Sequence, residues 1–293
     1  MRKKRNGLIT VLLAGLLTGL LLSGCSLNGR TETDDTAEES QQDFSIELTG
    51  AIKEIRERGY LMVGCKDDVP GFGYYNEETR EYEGGEIELA WYLAAKIFNV
   101  TPEEAREQKL VHFEPVEVSD REAMLTEDRA DYVIATYTIT DERKKTVSFS
   151  ESYYRDAVGM MIMADKKDSN SLSDPKIDSI RSLDGKKIGI MSGSTTRKEM
   201  LDYIERNSLQ INPRFMEYPS YEKLNKALTS GDIDVFCVDT CILKGYLDQK
   251  KEILSEHFSF QDYGVGASKE KPELIDAANK VLAELTYLKI NLW

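Results

Sequence analysis

An α/β fold on mostly parallel strands is what this 293-residue sequence predicts, and three observations predict it. Short apolar runs alternate with stretches of helical period. The runs end in loops rich in hydroxyl, glycine and charged residues, as strands do where they feed helices. Once the N-terminal segments are set aside, roughly 245 residues remain, enough for one large or two ordinary domains.

The first element is a leader. Arg2-Lys3-Lys4-Arg5 precedes an apolar run from Leu8 to Leu22. Such a run, about 15 residues long, is short of the roughly 20 that a membrane span needs and suits a signal-peptide core. Leu22-Ser23-Gly24-Cys25 resembles a lipobox, in which Cys25 is lipidated and opens the mature chain. A signal peptide at 1–24 is expected, with an uncleaved anchor as the alternative; either puts the folded part outside the cytoplasm, on the cell envelope. The polar, acidic stretch that follows has no apolar period, so 25–45 reads as a disordered tether.

Loss of the four basic leader residues takes the formal net charge from −14 to −18. Such a surface excludes nucleic acid as a partner. An anionic small ligand then needs cations concentrated locally. Beyond Cys25, only Cys65, Cys237 and Cys241 remain, and Cys65 and Cys237 stand in apolar runs as buried thiols. His112 and His257 are far apart, so no metal spacing, cofactor motif or nucleophilic triad is formed.

In chain order, strands are predicted at Leu61–Cys65, Val111–Val116, Tyr132–Thr136, Val158–Ala164, Ile188–Met191 and Ile233–Val238. Helices are predicted at Glu86–Phe98, Glu122–Glu127, Arg197–Arg206, Tyr221–Thr229 and Glu273 to about Leu288. Three strand-end loops stand out: Cys65 to Gly73, Thr136 to Arg143, and Ser192 to Glu199. In the second, Thr136, Tyr137 and Thr138 lead to a helix expected to carry Arg143 in its first turn, where its guanidinium fork suits a carboxylate. In the third, Thr196 and Glu199 have capping-box spacing. Hydroxyls and helix N-termini at two loops suit one shared anion.

Seven motifs then occur in a familiar order: Val63-Gly-Cys-Lys-Asp-Asp-Val-Pro-Gly-Phe-Gly73, Tyr82-Glu-Gly-Gly-Glu-Ile-Glu-Leu-Ala90, Ile134-Ala-Thr-Tyr-Thr-Ile-Thr-Asp-Glu-Arg143, Val147-Ser-Phe-Ser-Glu-Ser-Tyr-Tyr154, Leu183-Asp-Gly-Lys-Lys-Ile-Gly189, Ser192-Gly-Ser-Thr195 and Gly231-Asp-Ile-Asp-Val-Phe-Cys-Val-Asp239. From about Ile52 onward the chain resembles the family 3 extracellular solute-binding proteins, which deliver amino acids to ABC importers. The resemblance implies a two-lobed periplasmic-binding-protein fold of type II with two hinge strands and a discontinuous first lobe. That lobe is expected at 46–155 plus 267–293, and the second at 156–266. It implies that Arg143 grips the ligand α-carboxylate, helped by Thr138 and the amides near Ser194 and Thr195, and that Asp239 holds the α-ammonium.

Relatives for basic amino acids carry an acid where Lys66 stands, and Arg121 matches an arginine of glutamate- and aspartate-binding relatives. Lys66, Arg121 and Arg143 against Asp239 leave a local excess of +2, which suits glutamate or aspartate. Two departures stand beside this. The usual Gly-Phe-Asp at the helix opening is Gly84-Gly85-Glu86, so either another ring, Phe72 or Tyr137, is expected to replace the missing one or the pocket is looser. The chain also stops at Asn291-Leu-Trp293, where relatives often continue. The expected protein is a non-enzymatic monomer serving permease subunits. The alternatives are an exported cyclohexadienyl dehydratase-like enzyme on the same scaffold, for which no general acid is evident, and a ligand-presenting co-receptor.

Overall fold

The computed structural model describes residues 44–167, 170–171 and 174–293. The expected leader, Cys25 and nearly all of the tether lie outside the described residues. Helix α1 (Gly50–Arg58) leads into β1 (Leu61–Cys65). A small antiparallel sheet follows, of β2 (Asp68–Val69), β3 (Gly73–Asn76) and β4 (Glu81–Glu83). Next come α2 (Gly85–Phe98), α3 (Pro102–Glu107), β5 (Val111–Pro115), α4 (Arg121–Thr126) and β6 (Tyr132–Ile134). The long β7 (Val147–Met163) precedes two-residue strands β8 (Asn170–Ser171) and β9 (Asp174–Pro175). The rest is β10 (Lys187–Met191), α5 (Thr196–Arg206), β11 (Arg214–Tyr218), α6 (Tyr221–Ser230), β12 (Val235–Asp239), α7 (Thr240–Gly245), β13 (Lys251–Ile253), β14 (Phe258–Ser268) and α8 (Pro272–Tyr287).

Local chemistry sets several boundaries. Thr101 and Glu104 form a reciprocal capping box around α3, with Pro102 at its first turn. Ser220 accepts from the Lys223 N–H to start α6, and Gly231 ends it at φ 80°.

The main sheet runs β11-β10-β12-β7-β14-β6-β1-β5, with β13 also on β7. Its two ends are parallel: β1 pairs with β5 and β6, and β10 with β11 and β12. Between them β7 and β14 run antiparallel, from Phe258 opposite Val158 to Ser268 opposite Val147. The end of β7 joins β12, and the end of β14 meets β6 at Gly266 opposite Val133. These two strands therefore pass from one parallel set to the other, as hinge strands do. One core packs Ile52, Val63, Leu93, Tyr132 and Leu274; another packs Val158, Ile188, Met200 and Cys237. A third cluster draws Phe72 and Val118 together with Tyr221, Phe236 and Ile242.

Three expectations are corrected. The strand read at Val158–Ala164 is the last third of β7, whose earlier part was hidden by its serines and Glu151. β14 carried no readable period because its pairing shifts at Phe258/Phe260, Tyr263/Gly264 and Gly264/Gly266. No α-helix opens at Arg143. The Lys145 and Thr146 amides bond three residues back, making a single 3-10 turn before β7 takes the chain. At α5, Thr196 lies inside the helix and Thr195 is the cap, so the capping box with Glu199 does not form.

Candidate functional site

The site begins where β6 ends. Thr136 has φ 44°, a left-handed conformation that a β-branched residue adopts only when its surroundings hold it. The holder is Glu86, in the first turn of α2. Its Oε1 accepts from the Thr136 N–H at 2.5 Å and from the Tyr153 hydroxyl at 2.5 Å. Glu86 is fully buried, and burial pushes its carboxyl above the usual range despite those two bonds.

Two arginines flank this turn. Arg143 donates to the Thr138 carbonyl at 2.8 Å and lies 3.4 Å from the Glu122 carboxylate. Burial, then the Arg121 charge, pulls its guanidinium below its ordinary range; it remains a cation. Arg121 is 3% exposed, touches the Thr136 hydroxyl at 3.5 Å, and its Nε has no partner. Tyr137 lies under both guanidiniums, 5.3 Å from Arg121 and 4.9 Å from Arg143 by ring centroid, and its hydroxyl donates to Glu122. It does not line the cavity.

The facing wall comes from the ends of β10 and β12. Asp239, the last residue of β12, is buried and accepts from the Tyr263 hydroxyl at 2.5 Å. Burial first, then Asp156, pushes its carboxyl up to about 7, against the Tyr263 bond and the charges of Arg121 and Arg143. The Ser194 hydroxyl donates to the Met191 carbonyl and its amide is used in the same turn; Thr195 donates to Gln261.

Together Arg121, Thr136, Thr138, Arg143, Ser194, Thr195 and Asp239 line one cavity with Val118, Tyr221 and Ile242. The cavity is about 20 Å³, room for about one water. The walls already touch: Arg143 reaches the Gly193 carbonyl at 3.5 Å, and the Tyr246 hydroxyl donates to the Asp68 carbonyl at 2.6 Å. A ligand of amino-acid size enters only if the walls part.

Besides Tyr137, two more expected site residues stand outside this space. Lys66 is 3% exposed; its ammonium lies 3.1 Å from the Asp68 carboxylate, 3.3 Å from the Val116 carbonyl and over Tyr221. Phe72 is buried against Tyr154 and Tyr263. The expected +2 excess is corrected as well. Asp68 answers Lys66, Glu122 answers Arg143, and Glu86 adds a buried acid beside Arg121. Four carboxyls thus accompany three cations. Glu86, Glu122, Tyr221 and Tyr263 were missed by sequence reasoning; only Glu86 had a signal, the altered motif around it. Lys66→Met is expected to change glutamate and glutamine affinity by the same factor, within about two-fold, and to cost about 1–3 kcal/mol of stability by leaving Asp68 unpaired. Paired titrations and thermal melts check this, and a loss confined to glutamate would return Lys66 to the ligand.

A buried cation and a buried anion across a closing gap complement a zwitterion. No group of three or more His, Cys, Asp or Glu that could hold a metal occurs among the described residues. This is the equipment of a binding protein of the periplasmic-binding-protein fold. Residues 61–287 match the bacterial extracellular solute-binding proteins, family 3, and the chain belongs to that family. A glutamine-binding protein of Geobacillus stearothermophilus is 32% identical over 265 residues, 89% of this chain and 92% of that protein. The glutamate-binding protein GluB of Corynebacterium efficiens is 25% identical over 281 residues, 93% of this chain and 83% of that one. Among solved structures, an ancestral arginine-binding protein bound to arginine matches with TM-score 0.65 and 29% identity, covering 78% of this chain and 93% of that chain.

Proposed function

We propose that the chain is the extracytoplasmic substrate-binding protein of an amino-acid ABC importer, and that its ligand's side chain ends in an oxygen acceptor. The observation that carries this is the trio of buried Arg121, buried Asp239 and half-buried Arg143 around one cavity. Arg143 takes the α-carboxylate and Asp239 the α-ammonium. The unpartnered Nε of Arg121 is left for the side chain. Residues 46–155 plus 267–293 act as one lobe and 156–266 as the other, closing about β7 and β14. Lipid on Cys25 tethers the protein, as a monomer, beside its permease.

Glutamate or aspartate is the reading that the sequence favours, and Arg121 supports it. Glutamine is the second reading, supported by the charge balance: with Lys66 and Arg143 answered from within, a neutral side chain leaves no net charge to bury. Calorimetric titration of refolded, ligand-free protein against glutamate, aspartate, glutamine, arginine and cystine separates them. Micromolar or tighter binding of glutamate, aspartate or glutamine is expected, and the order among them chooses the reading. Preference for arginine or cystine would remove Arg121 from the side-chain site; no binding at all would reopen the enzyme and co-receptor alternatives.

A further inference from the structure

The ring missing at Gly85 has a replacement from the far end of the chain. A Cβ built on Gly85 falls against the indole of Trp293 and 2.7 Å from the Leu292 carbonyl. The segment reaches this place by a defined path. Lys289, at φ 55°, ends α8; the Ile290 amide bonds the Leu285 carbonyl at 2.9 Å; and Ile290 and Leu292 pack on the first core. The indole then stacks on Phe72, with centroids 5.0 Å apart and planes 25° apart, and on Tyr153 at 5.4 Å and 18°. Each of these rings leads to the site. Tyr153 bonds Glu86, which fixes Thr136; Phe72 abuts Tyr263, which bonds Asp239.

We infer that Trp293 is a positioning residue of the ligand site, filling the volume that the glycine at 85 leaves open and bracing the rings behind Thr136 and Asp239. The inference rests on the amino-acid reading above. Gly85 is what admits the indole: a larger side chain at 85 and Trp293 exclude each other. Removal of the indole frees Phe72 and Tyr153 to leave the positions that aim the Tyr263 and Glu86 contacts.

The test uses the mature protein with L-glutamate and L-glutamine as calorimetric probes. Trp293→Ala is expected to weaken the better probe about tenfold or more, while Trp293→Phe, which keeps a ring, stays within about threefold. Gly85→Phe alone should weaken binding similarly and, in a Trp91→Phe background that leaves one indole, shift tryptophan emission to the red. A wild type that binds tightly while Trp293→Ala leaves its affinity within about twofold overturns this inference alone. A wild type that binds neither probe overturns the glutamate and glutamine readings, and this inference with them.

Discussion

Arg143→Ala is expected to weaken amino-acid binding by roughly 30- to several-thousand-fold, the range that follows from removing one member of a buried charge pair. The ligand α-carboxylate would enter a gap of about one water's size with no fork to receive it. Arg121 cannot substitute, since its guanidinium is fixed over Tyr137 beside Thr136. The fold should survive, because the alanine variant loses carbonyl contacts at Thr138 and Gly193, a partly exposed Glu122 and one of the two guanidiniums over Tyr137. Arg143→Lys keeps the charge without the planar fork and should fall between the two. Calorimetry with a thermal melt as the folding control reads the result; near-native affinity in the alanine variant would remove Arg143 from the site.

Asp239→Asn should cost a comparable factor at pH 8 and, more tellingly, flatten the pH dependence. The Asp239 carboxyl is held up at about 7 by burial and Asp156, while Tyr263, Arg121 and Arg143 pull it down. Only its ionised form meets an ammonium. Wild-type affinity should therefore fall as pH drops below about 7, by up to about tenfold per pH unit. The stability of the ligand-free protein moves the other way. A carboxyl raised on folding contributes stability that is fully present below the ordinary aspartate range near 3.8 and is lost as pH rises through about 7. Titrations between pH 5 and 8 on both proteins check the pair of trends. Equal wild-type affinity across that span would mean that another group receives the ammonium.

The α/β class, most strands and the charged residues that line the cavity were legible because each is a local property. A run such as Lys187–Met191 reads as a strand by composition, and Arg143 and Asp239 declare their chemistry wherever strand ends place them. Where local signals compete, reading failed. Thr138–Arg143 carries helix-start residues, yet β7 claims the chain after one 3-10 turn. β14 loses its alternation to bulges.

The sequence by itself determined the fold class, the motif order and which residues could grip a zwitterion. Only the tertiary structure decided what those residues face. It paired Lys66 with Asp68 and Arg143 with Glu122, and sank Glu86 behind Thr136. It also brought Trp293 to the bare face of Gly85. The reason is physical: charge and strand period are written residue by residue, whereas burial and partnership are set by long-range packing.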